Sequence, residues 1–334
     1  MTQNALAVAA RASAEMTIDV YPPIVHENDL SPDAFGPEID DLCEEIKDGV
    51  KGFGANKDAV IDALGSEDAT SRYKIALRYK ELYDKNLNQV MKKEFSGDFG
   101  MTLQFLALPS DKAEALMCRK ATKGIGANVE VLYSIICGRT NTELQMLKKA
   151  YFDMYTKDLT SVCVSELRGD NERLIVTALQ ASEQLYDPLV HTKEKAIQDA
   201  EFIHSCGLGK TFGTDEESIF KIICASPPQL LRDVNLVYAD KYGYSLEKAM
   251  EKEFTGKAKD GLLFTLGMKL KPFPTIAKLV KTACKGVGTH EMLLIDCVVR
   301  YQVSLMYIIY NYDSLYAVFT HHFAFFFVLV IHSM

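Results

Sequence analysis

The sequence lacks a surplus of basic residues. Lys and Arg number 37 against 45 for Asp and Glu, which gives a formal net charge of −8 over 334 residues. A protein that binds nucleic acid needs positive charge to displace the counterions of the phosphate backbone, so the balance argues against a nucleic-acid partner. Anionic lipid should also repel this chain, unless an ion of positive charge stands between them.

Paired cysteines and a secretory signal are also missing. The eight cysteines include no Cys-x-x-Cys pair, and a chain of this length does not need disulfide bonds to fold. The first residues include Arg11 and Glu15, and the apolar stretch Ala5–Ala10 is too short for the hydrophobic region of a signal peptide. We therefore expect reduced thiols and a cytoplasmic location.

The motifs of common enzyme classes are absent. The chain contains neither Gly-x-Ser-x-Gly nor His-Glu-x-x-His. The fragment Gly209-Lys210-Thr211 resembles the end of a phosphate-binding loop, but that loop needs a glycine where this sequence has His204. The sequence therefore predicts no enzymatic activity.

One long apolar run stands at the C-terminal end. No charged residue follows Asp313, and Phe323–Ile331 is continuously apolar. A membrane-spanning helix needs about 17–25 apolar residues, whereas His321 and His322 interrupt this stretch. A buried hydrophobic tail and a tail anchor both stay open for residues 317–334.

A short glycine motif recurs four times along the chain. Lys-Gly-x-Gly ends at Gly54, Gly126 and Gly288, and a variant of it ends at Gly213. These final glycines are 72, 87 and 75 residues apart, so the sequence contains four comparable units with a longer connection in the middle.

The same helical pattern follows the first three of these glycines. Apolar and tyrosine residues stand 21, 25 and 29 residues downstream: Ile75, Tyr79 and Tyr83; Leu147, Tyr151 and Tyr155; Val234, Tyr238 and Tyr242. The fourth unit shows the same stripe, shifted by one deleted residue. Spacing of four residues places each set on one helix face, and no segment alternates as a strand would. We therefore predict an all-α fold with about five helices in each repeat, packed together because one repeat cannot bury its own apolar face.

These patterns divide the chain into seven segments. The predicted boundaries are an N-terminal arm at 1–35, repeat 1 at 36–108, repeat 2 at 109–182, a connector at 183–191, repeat 3 at 192–270, a partial repeat 4 at 271–316 and the apolar tail at 317–334.

A glutamate stands forty residues after the last glycine of the first three motifs. Glu94, Glu166 and Glu253 occupy these positions, and each is followed by x-x-Gly. Calcium takes 6–8 oxygen ligands and accepts both backbone carbonyls and bidentate carboxylates. A Gly-x-Gly loop lets the backbone turn its carbonyls toward one point, because glycine tolerates positive φ. The spacing thus favours a calcium site made from a loop and a distant acid.

Each element taken singly has a plainer interpretation. A glycine followed by a capping residue is an ordinary helix connection, and Thr214 with Glu217 three residues later predicts a capping box. A single glutamate at a helix end is usually solvated. The identical spacing in three repeats favours the metal site over these alternatives.

The glycine motif, the acid forty residues later and the four units resemble the annexin family over about residues 36–316. The resemblance implies a curved, all-helical disc that binds Ca²⁺ on its convex face and then binds anionic phospholipid reversibly, so that the protein is peripheral on membranes when calcium is raised. Carried over by position, the ligands would be Val50, Gly52 and Gly54 with Glu94; Thr122, Gly124 and Gly126 with Glu166; and Gly209, Thr211 and Gly213 with Glu253.

The sequence departs from the family pattern in three places. Ala55-Asn56 and Ala127-Asn128 stand where the family often has Thr-Asp, which we expect to remove a helix cap. The fourth repeat keeps Cys284, Gly286 and Gly288 but has Val328 at the position of the acid, so we predict a weak or lost fourth site.

Phe212 stands where an exposed aromatic of this family can enter the headgroup layer, and ordinary loop packing is an equal alternative.

Two other functions remain open from the sequence. The first is a membrane–cytoskeleton scaffold that binds a protein partner through the N-terminal arm, with calcium secondary. The arm contains Tyr21-Pro22-Pro23, which is typical of an extended segment. The second is ion conduction through the centre of the four repeats, which the sequence neither supports nor excludes.

Overall fold

The computed structural model describes residues 35–51, 56–124, 126–209, 213–284 and 290–311, with side chains up to Tyr301 in the last range. These residues form seventeen α-helices and no β-strand, so the predicted all-α class is confirmed. The described chain divides into two compact units, of which the first comprises residues 35–116 and 276–311 and the second residues 117–275. The predicted N-terminal arm and apolar tail lie outside the described residues.

The first unit begins with five helices separated by short turns. They are α1 (Pro37–Gly49), α2 (Lys57–Gly65), α3 (Ala69–Tyr83), α4 (Leu87–Glu94) and α5 (Gly97–Leu106). Their shared core contains Ile46, Leu64, Ile75, Met91 and Leu103, all fully buried. The unit also contains most of α16 (Pro272–Ala283) and all of α17 (Glu291–Asn311), while α6 (Ser110–Ala121) leads into the second unit.

The second unit contains the rest of the second repeat and the third repeat. Its helices are α7 (Val129–Ile136), α8 (Asn141–Tyr155), α9 (Leu159–Glu166), α10 (Gly169–Leu179), α11 (Lys193–Cys206), α12 (Glu216–Ala225), α13 (Pro228–Tyr242), α14 (Leu246–Glu253) and α15 (Gly256–Leu270). The stretch between α10 and α11 carries no helix.

The stripe of residues predicted for the third helix of each repeat lies in the core. Ile75, Leu147 and Val234 are buried in α3, α8 and α13. One turn later in each helix, two tyrosine rings four residues apart pack against each other, at centroid distances of 4.8, 5.0 and 4.7 Å in the three repeats. The periodicity therefore identified a packing face, as predicted.

The fourth repeat separates its second and third helices differently from the first repeat. In the first repeat, Ser66–Asp68 separates α2 from α3, whereas α17 runs on through a kink at Tyr301, where φ is −108° and ψ is 18°. The fourth repeat is one residue shorter here, and its two helices meet at this kink without a longer turn between them.

No helix among the described residues is long and apolar enough to span a bilayer.

Candidate metal-binding loops

Every repeat closes its first interhelical loop with the same backbone hydrogen bond. The residue before the second helix donates its N–H to the last residue of the first helix. The four bonds are Asn56 to Gly49 at 2.6 Å, Asn128 to Ala121 at 2.7 Å, Asp215 to Cys206 at 2.8 Å and His290 to Ala283 at 2.8 Å. The third loop holds two more residues between its ends than the others do. The four glycine motifs are thus versions of one closed loop.

The residue that closes each loop also caps the next helix. Asn56 and Asn128 accept the N–H groups of Ala59 and Val131 on their side-chain oxygens, both at 3.3 Å. The expectation that Ala-Asn in place of Thr-Asp removes a cap is therefore wrong, because the asparagine amide oxygen takes the same position as an aspartate oxygen. In the fourth repeat, Nδ1 of His290 accepts the corresponding bond from Leu293 at 3.2 Å.

The third repeat brings its glutamate to its loop. Oγ1 of Thr214 donates a hydrogen bond to Oε2 of Glu253 at 2.6 Å, although the two residues are 39 positions apart. A Cβ atom on Gly207 would lie 3.2–3.4 Å from the Glu253 side chain, which shows how closely the carboxylate approaches the backbone. The loop and the acid predicted from sequence spacing therefore meet in this repeat.

Thr214 has a different role from the one predicted. The cap of α12 is Asp215, which accepts the N–H of Ser218 at 3.2 Å, and not Thr214. The predicted capping box between Thr214 and Glu217 is therefore wrong, because the hydroxyl of Thr214 is bound to Glu253 instead. Sequence spacing could not assign this hydroxyl, since a threonine next to an aspartate can cap a helix or face the loop.

Backbone conformation in the loops matches the need for glycine. Gly124 and Gly126 have φ values of 118° and 85°, and Gly213 has 67°. A Cβ atom at any of the three positions would meet no atom within 4 Å. Glycine is therefore required for the left-handed backbone and not for space. Thr122 turns its hydroxyl back to the carbonyl of Cys118 at 2.9 Å, which leaves only its own carbonyl as a candidate ligand.

A second loop follows each glutamate, and its glycine is also left-handed. Gly97, Gly169 and Gly256 have φ values of 66°, 62° and 62°. This explains the x-x-Gly that follows each acid in the sequence, because the chain reverses there between α4 and α5, α9 and α10, or α14 and α15. The turn holds the glutamate at a helix end.

Glu94 and Glu166 differ from Glu253 in their surroundings: the first lies beside a lysine and the second is exposed to solvent. Oε1 of Glu94 lies 3.2 Å from Nζ of Lys93. Burial, with smaller contributions from the Tyr83 phenol, the Cys43 thiol and the Glu94 carboxylate, raises the pKa of Tyr79 to about 12. Glu166 is exposed at the end of α9. Gly52 and Gly54 lie outside the described residues, so their relation to Glu94 stays a prediction.

Only the two ends of the fourth loop lie among the described residues. Gly286, Gly288 and Val328 lie outside the described residues, as do Thr211 and Phe212 in the third repeat. Cys284 is half-buried, and burial raises the pKa of its thiol to about 11. The prediction of a weak or lost fourth site stays a prediction.

Aromatic residues pack next to the third loop. Sequence spacing did not predict these contacts. The ring of His204 stacks on Tyr242 with centroids 3.8 Å apart, and its Nδ1 lies 3.2 Å from the Tyr238 hydroxyl. The carbonyl of His204 accepts the N–H of Gly209 at 2.8 Å. A Cβ atom on Gly209 would lie 2.8 Å from the imidazole ring, so this glycine is required for space.

The available donors fit a hard cation better than a soft one. Within the part of the chain that the structure describes, no group of three or more His, Cys, Asp and Glu side chains could hold a metal ion. Each loop instead offers backbone carbonyls, and Glu253 adds a carboxylate. Calcium accepts this donor set, whereas zinc and copper favour imidazole and thiolate.

Comparisons with known proteins agree with this arrangement. A family model described as annexin matches residues 41–106, 113–178 and 198–264. Human annexin A13 is 32% identical over 282 residues, which are 84% of this chain and 87% of that protein. A solved mutant of annexin A8 superposes with a TM-score of 0.80 at 26% identity, over 91% of this chain and 97% of that one. Annexin III shares the fold, with a TM-score of 0.80 at 24% identity over 91% and 95% of the two chains.

Proposed function

Because the chain belongs to the annexin family, we propose that it binds Ca²⁺ through its interhelical loops and then attaches reversibly to anionic phospholipid. Annexins are generally not enzymes, and calcium-dependent phospholipid binding is typical of them. The observation that carries the proposal for this chain is the hydrogen bond between Thr214 and Glu253, which holds a carboxylate against the glycine loop of the third repeat.

We assign three sites in equivalent positions. The proposed ligands are the carbonyls of Val50, Gly52 and Gly54 with Glu94; those of Thr122, Gly124 and Gly126 with Glu166; and those of Gly209, Thr211 and Gly213 with Glu253. The shared loop closure and the left-handed glycines support this assignment in the described loops. The carbonyls at Cys284, Gly286 and Gly288 would form a fourth, weaker site without a carboxylate.

Charge explains why the protein would need the ion. The chain carries a formal net charge of −8, so an anionic lipid surface repels it. A bound calcium ion supplies local positive charge and open coordination positions that phosphate oxygens can occupy. Each proposed site has backbone carbonyls and only one carboxylate as ligands. Because few anionic ligands hold the ion, we expect a modest affinity and release of calcium when its concentration falls.

The proposed organisation follows the seven segments predicted from the sequence. Repeats 1 to 3 at 36–108, 109–182 and 192–270 carry the sites, the connector lies at 183–191, and repeat 4 at 271–316 is partial. We propose a cytoplasmic protein that becomes peripheral on membranes when calcium rises. The N-terminal arm at 1–35 remains the proposed position for a protein partner.

Sedimentation with phosphatidylserine vesicles tests the proposal. We expect binding in millimolar calcium and none in chelator, and loss of binding in the combined variant Glu94→Gln, Glu166→Gln and Glu253→Gln. Glu217→Gln serves as the control, because this exposed helical carboxylate pairs only with Lys221 in the described structure. Equal sedimentation with chelator would instead favour the scaffold function or an anchoring tail. Normal sedimentation of the triple variant would show that the assigned carboxylates are wrong.

A further inference from the structure

The connector between α10 and α11 presents apolar side chains to solvent. Leu185 and Leu189 are 91% and 87% exposed, and Val190 and Tyr186 are also exposed. We call these four side chains the connector knob. Single exposed leucines are common on protein surfaces, but four apolar residues within six positions form a contiguous patch of the kind that marks an interaction surface.

The backbone below the connector knob is held in one conformation. His191 is buried, its Nδ1 accepts the N–H of Asp187 at 2.9 Å and its Nε2 lies 2.9 Å from Oε1 of Gln184. Its ring stacks on Tyr186 at an interplanar angle of 17°. The carboxylate oxygen Oδ1 of Asp187 accepts a hydrogen bond from the N–H of Leu189 at 2.8 Å. A surface that is already ordered loses little conformational entropy when it binds.

The start of the connector is fixed to the helices on both sides. Asn141 of α8 exchanges two hydrogen bonds with the backbone of Glu183, at 2.8 and 3.0 Å. Oε2 of Glu183 lies 2.7 Å from Nζ of the buried Lys269. The N–H of Gln184 donates to the carbonyl of Ala225 at 2.9 Å. The connector knob is therefore a rigid projection and not a loose loop.

A groove opens directly beside the projection. It has a volume of about 330 Å³ and shares Gln184 with the connector. Its apolar lining includes Phe202, Ile222, Ala225 and Leu230, and its charged lining is Lys221 together with Lys195 and Asp199, whose Nζ and Oδ1 lie 2.5 Å apart. Phe202 is about half exposed. The groove thus offers apolar surface next to the exposed Lys221, while the connector knob offers apolar side chains on both sides of Asp187.

The connector knob lies at the helix ends away from the third candidate calcium loop, whereas the groove extends along α11 and α12 as far as Phe202 and Ser218. α11 runs from the connector to the third loop, and α12 runs from that loop to Ala225 beside Gln184. Helices of 14 and 10 residues span about 21 and 15 Å at 1.5 Å per residue. The connector knob is therefore distant from the third loop, while the groove ends at Ser218, which donates its N–H to the loop-closing Asp215 at 3.2 Å.

We propose that the connector knob and the groove form a self-association surface, in which a second copy of this chain is the partner. The apolar side chains of each copy enter the groove of the other, and Asp187 of one approaches Lys221 of the other. Lys221 is available for this because its present pair with Glu217 is more than half exposed. The two complementary parts lie side by side on one chain, so a two-fold axis between them satisfies both at once. This association needs neither calcium nor lipid.

Sedimentation velocity of the full chain in chelator, at concentrations from low to high micromolar, tests the proposal. We expect a monomer–dimer equilibrium in the wild type and a loss of dimer affinity of at least about tenfold in Leu185→Asp with Leu189→Asp. Circular dichroism and thermal unfolding should stay unchanged, because both side chains are exposed. The matched control is Leu236→Asp, which places the same charge on a leucine that is 67% exposed on α13 and does not line the groove.

Two results would overturn the inference. The first is a wild type that stays monomeric across the range, and the second is a double variant that dimerises as the wild type does. If the wild type is monomeric and the double variant loses vesicle binding, the leucines contact lipid instead of a second copy. Because the dimer is measured in chelator without lipid, a negative result here leaves the calcium-dependent binding untouched.

Discussion

Arg300 donates from its Nε to Oε1 of Glu114 at 2.6 Å, and the two side chains are only 2% and 1% exposed. Asp296, also fully buried, lies 3.6 Å from a second nitrogen of the same guanidinium. The pair connects α6 to α17 within the first unit, across 186 positions of sequence. A buried charge that loses its partner cannot be solvated by water, so this pair should be sensitive to removal of one side chain.

We expect Glu114→Ala to lower the free energy of unfolding by about 3–5 kcal/mol, as measured by urea denaturation of the full chain. Glu217→Ala is the matched control. It removes an exposed pair with Lys221, and such a pair contributes less than about 1 kcal/mol. Equal losses for the two variants would contradict a special role for burial at Glu114.

Thr214 should influence calcium binding through Glu253. We expect Thr214→Val to weaken calcium binding by about tenfold, because a group that orients a metal ligand commonly contributes that much. Thr214→Ser should keep the affinity, since serine retains the hydroxyl. Calorimetric titration with calcium measures the effect most clearly in a chain that also carries Glu94→Gln and Glu166→Gln. In that chain, only the third of the three assigned sites keeps its carboxylate. Unchanged affinity in Thr214→Val would show that the hydrogen bond has no part in the site.

The glycine after each glutamate should be needed for its backbone conformation. At Gly256, φ is 62° and a Cβ atom would meet nothing within 4 Å. We therefore expect Gly256→Ala to destabilise the protein by about 1–2 kcal/mol through backbone strain alone. Gly256→Asn should be milder, because asparagine adopts left-handed backbone more readily. Thermal unfolding of the two variants separates this cause from a steric clash, which would make the larger asparagine worse.

The cysteines should react slowly in the folded protein. Burial raises the pKa of Cys43 and Cys163 to about 12, and that of Cys224 and Cys284 to about 11. A raised pKa keeps each thiol protonated at neutral pH, and only the thiolate is a good nucleophile. We expect iodoacetamide to modify Cys224 and Cys284 first as the pH rises, because they are the less buried pair. Mass spectrometry of the native protein checks this order, and rapid labelling of Cys43 at neutral pH would contradict it.

Sequence spacing predicted the repeats because each repeat buries the same helix face. The tyrosines at 79, 151 and 238 could be placed in the core from periodicity alone, and the structure confirms their burial. The acid at the third loop could also be found, because a glutamate at constant distance from a glycine motif is a pattern that chance seldom repeats three times.

Individual polar contacts could not be predicted in the same way. The hydroxyl of Thr214 and the amide of Asn56 each have more than one partner within reach, and only the folded backbone selects one. The kink at Tyr301 in place of a longer turn also needed the structure, since a missing residue can shorten a turn or remove it. The pairing of Arg300 with Glu114 depends on contacts between distant parts of the chain, for which a single sequence gives no signal.

The hydrogen bond from His290 to Ala283 closes the fourth loop just as its counterparts close the other three. Loop closure therefore serves chain reversal whether or not a carboxylate is present. The closure joins two backbone groups and uses no side chain, so it does not depend on which residue stands at the glutamate position. Each copy of such a unit can therefore change the residue at the glutamate position on its own, because the turn that reverses the chain is built from the backbone.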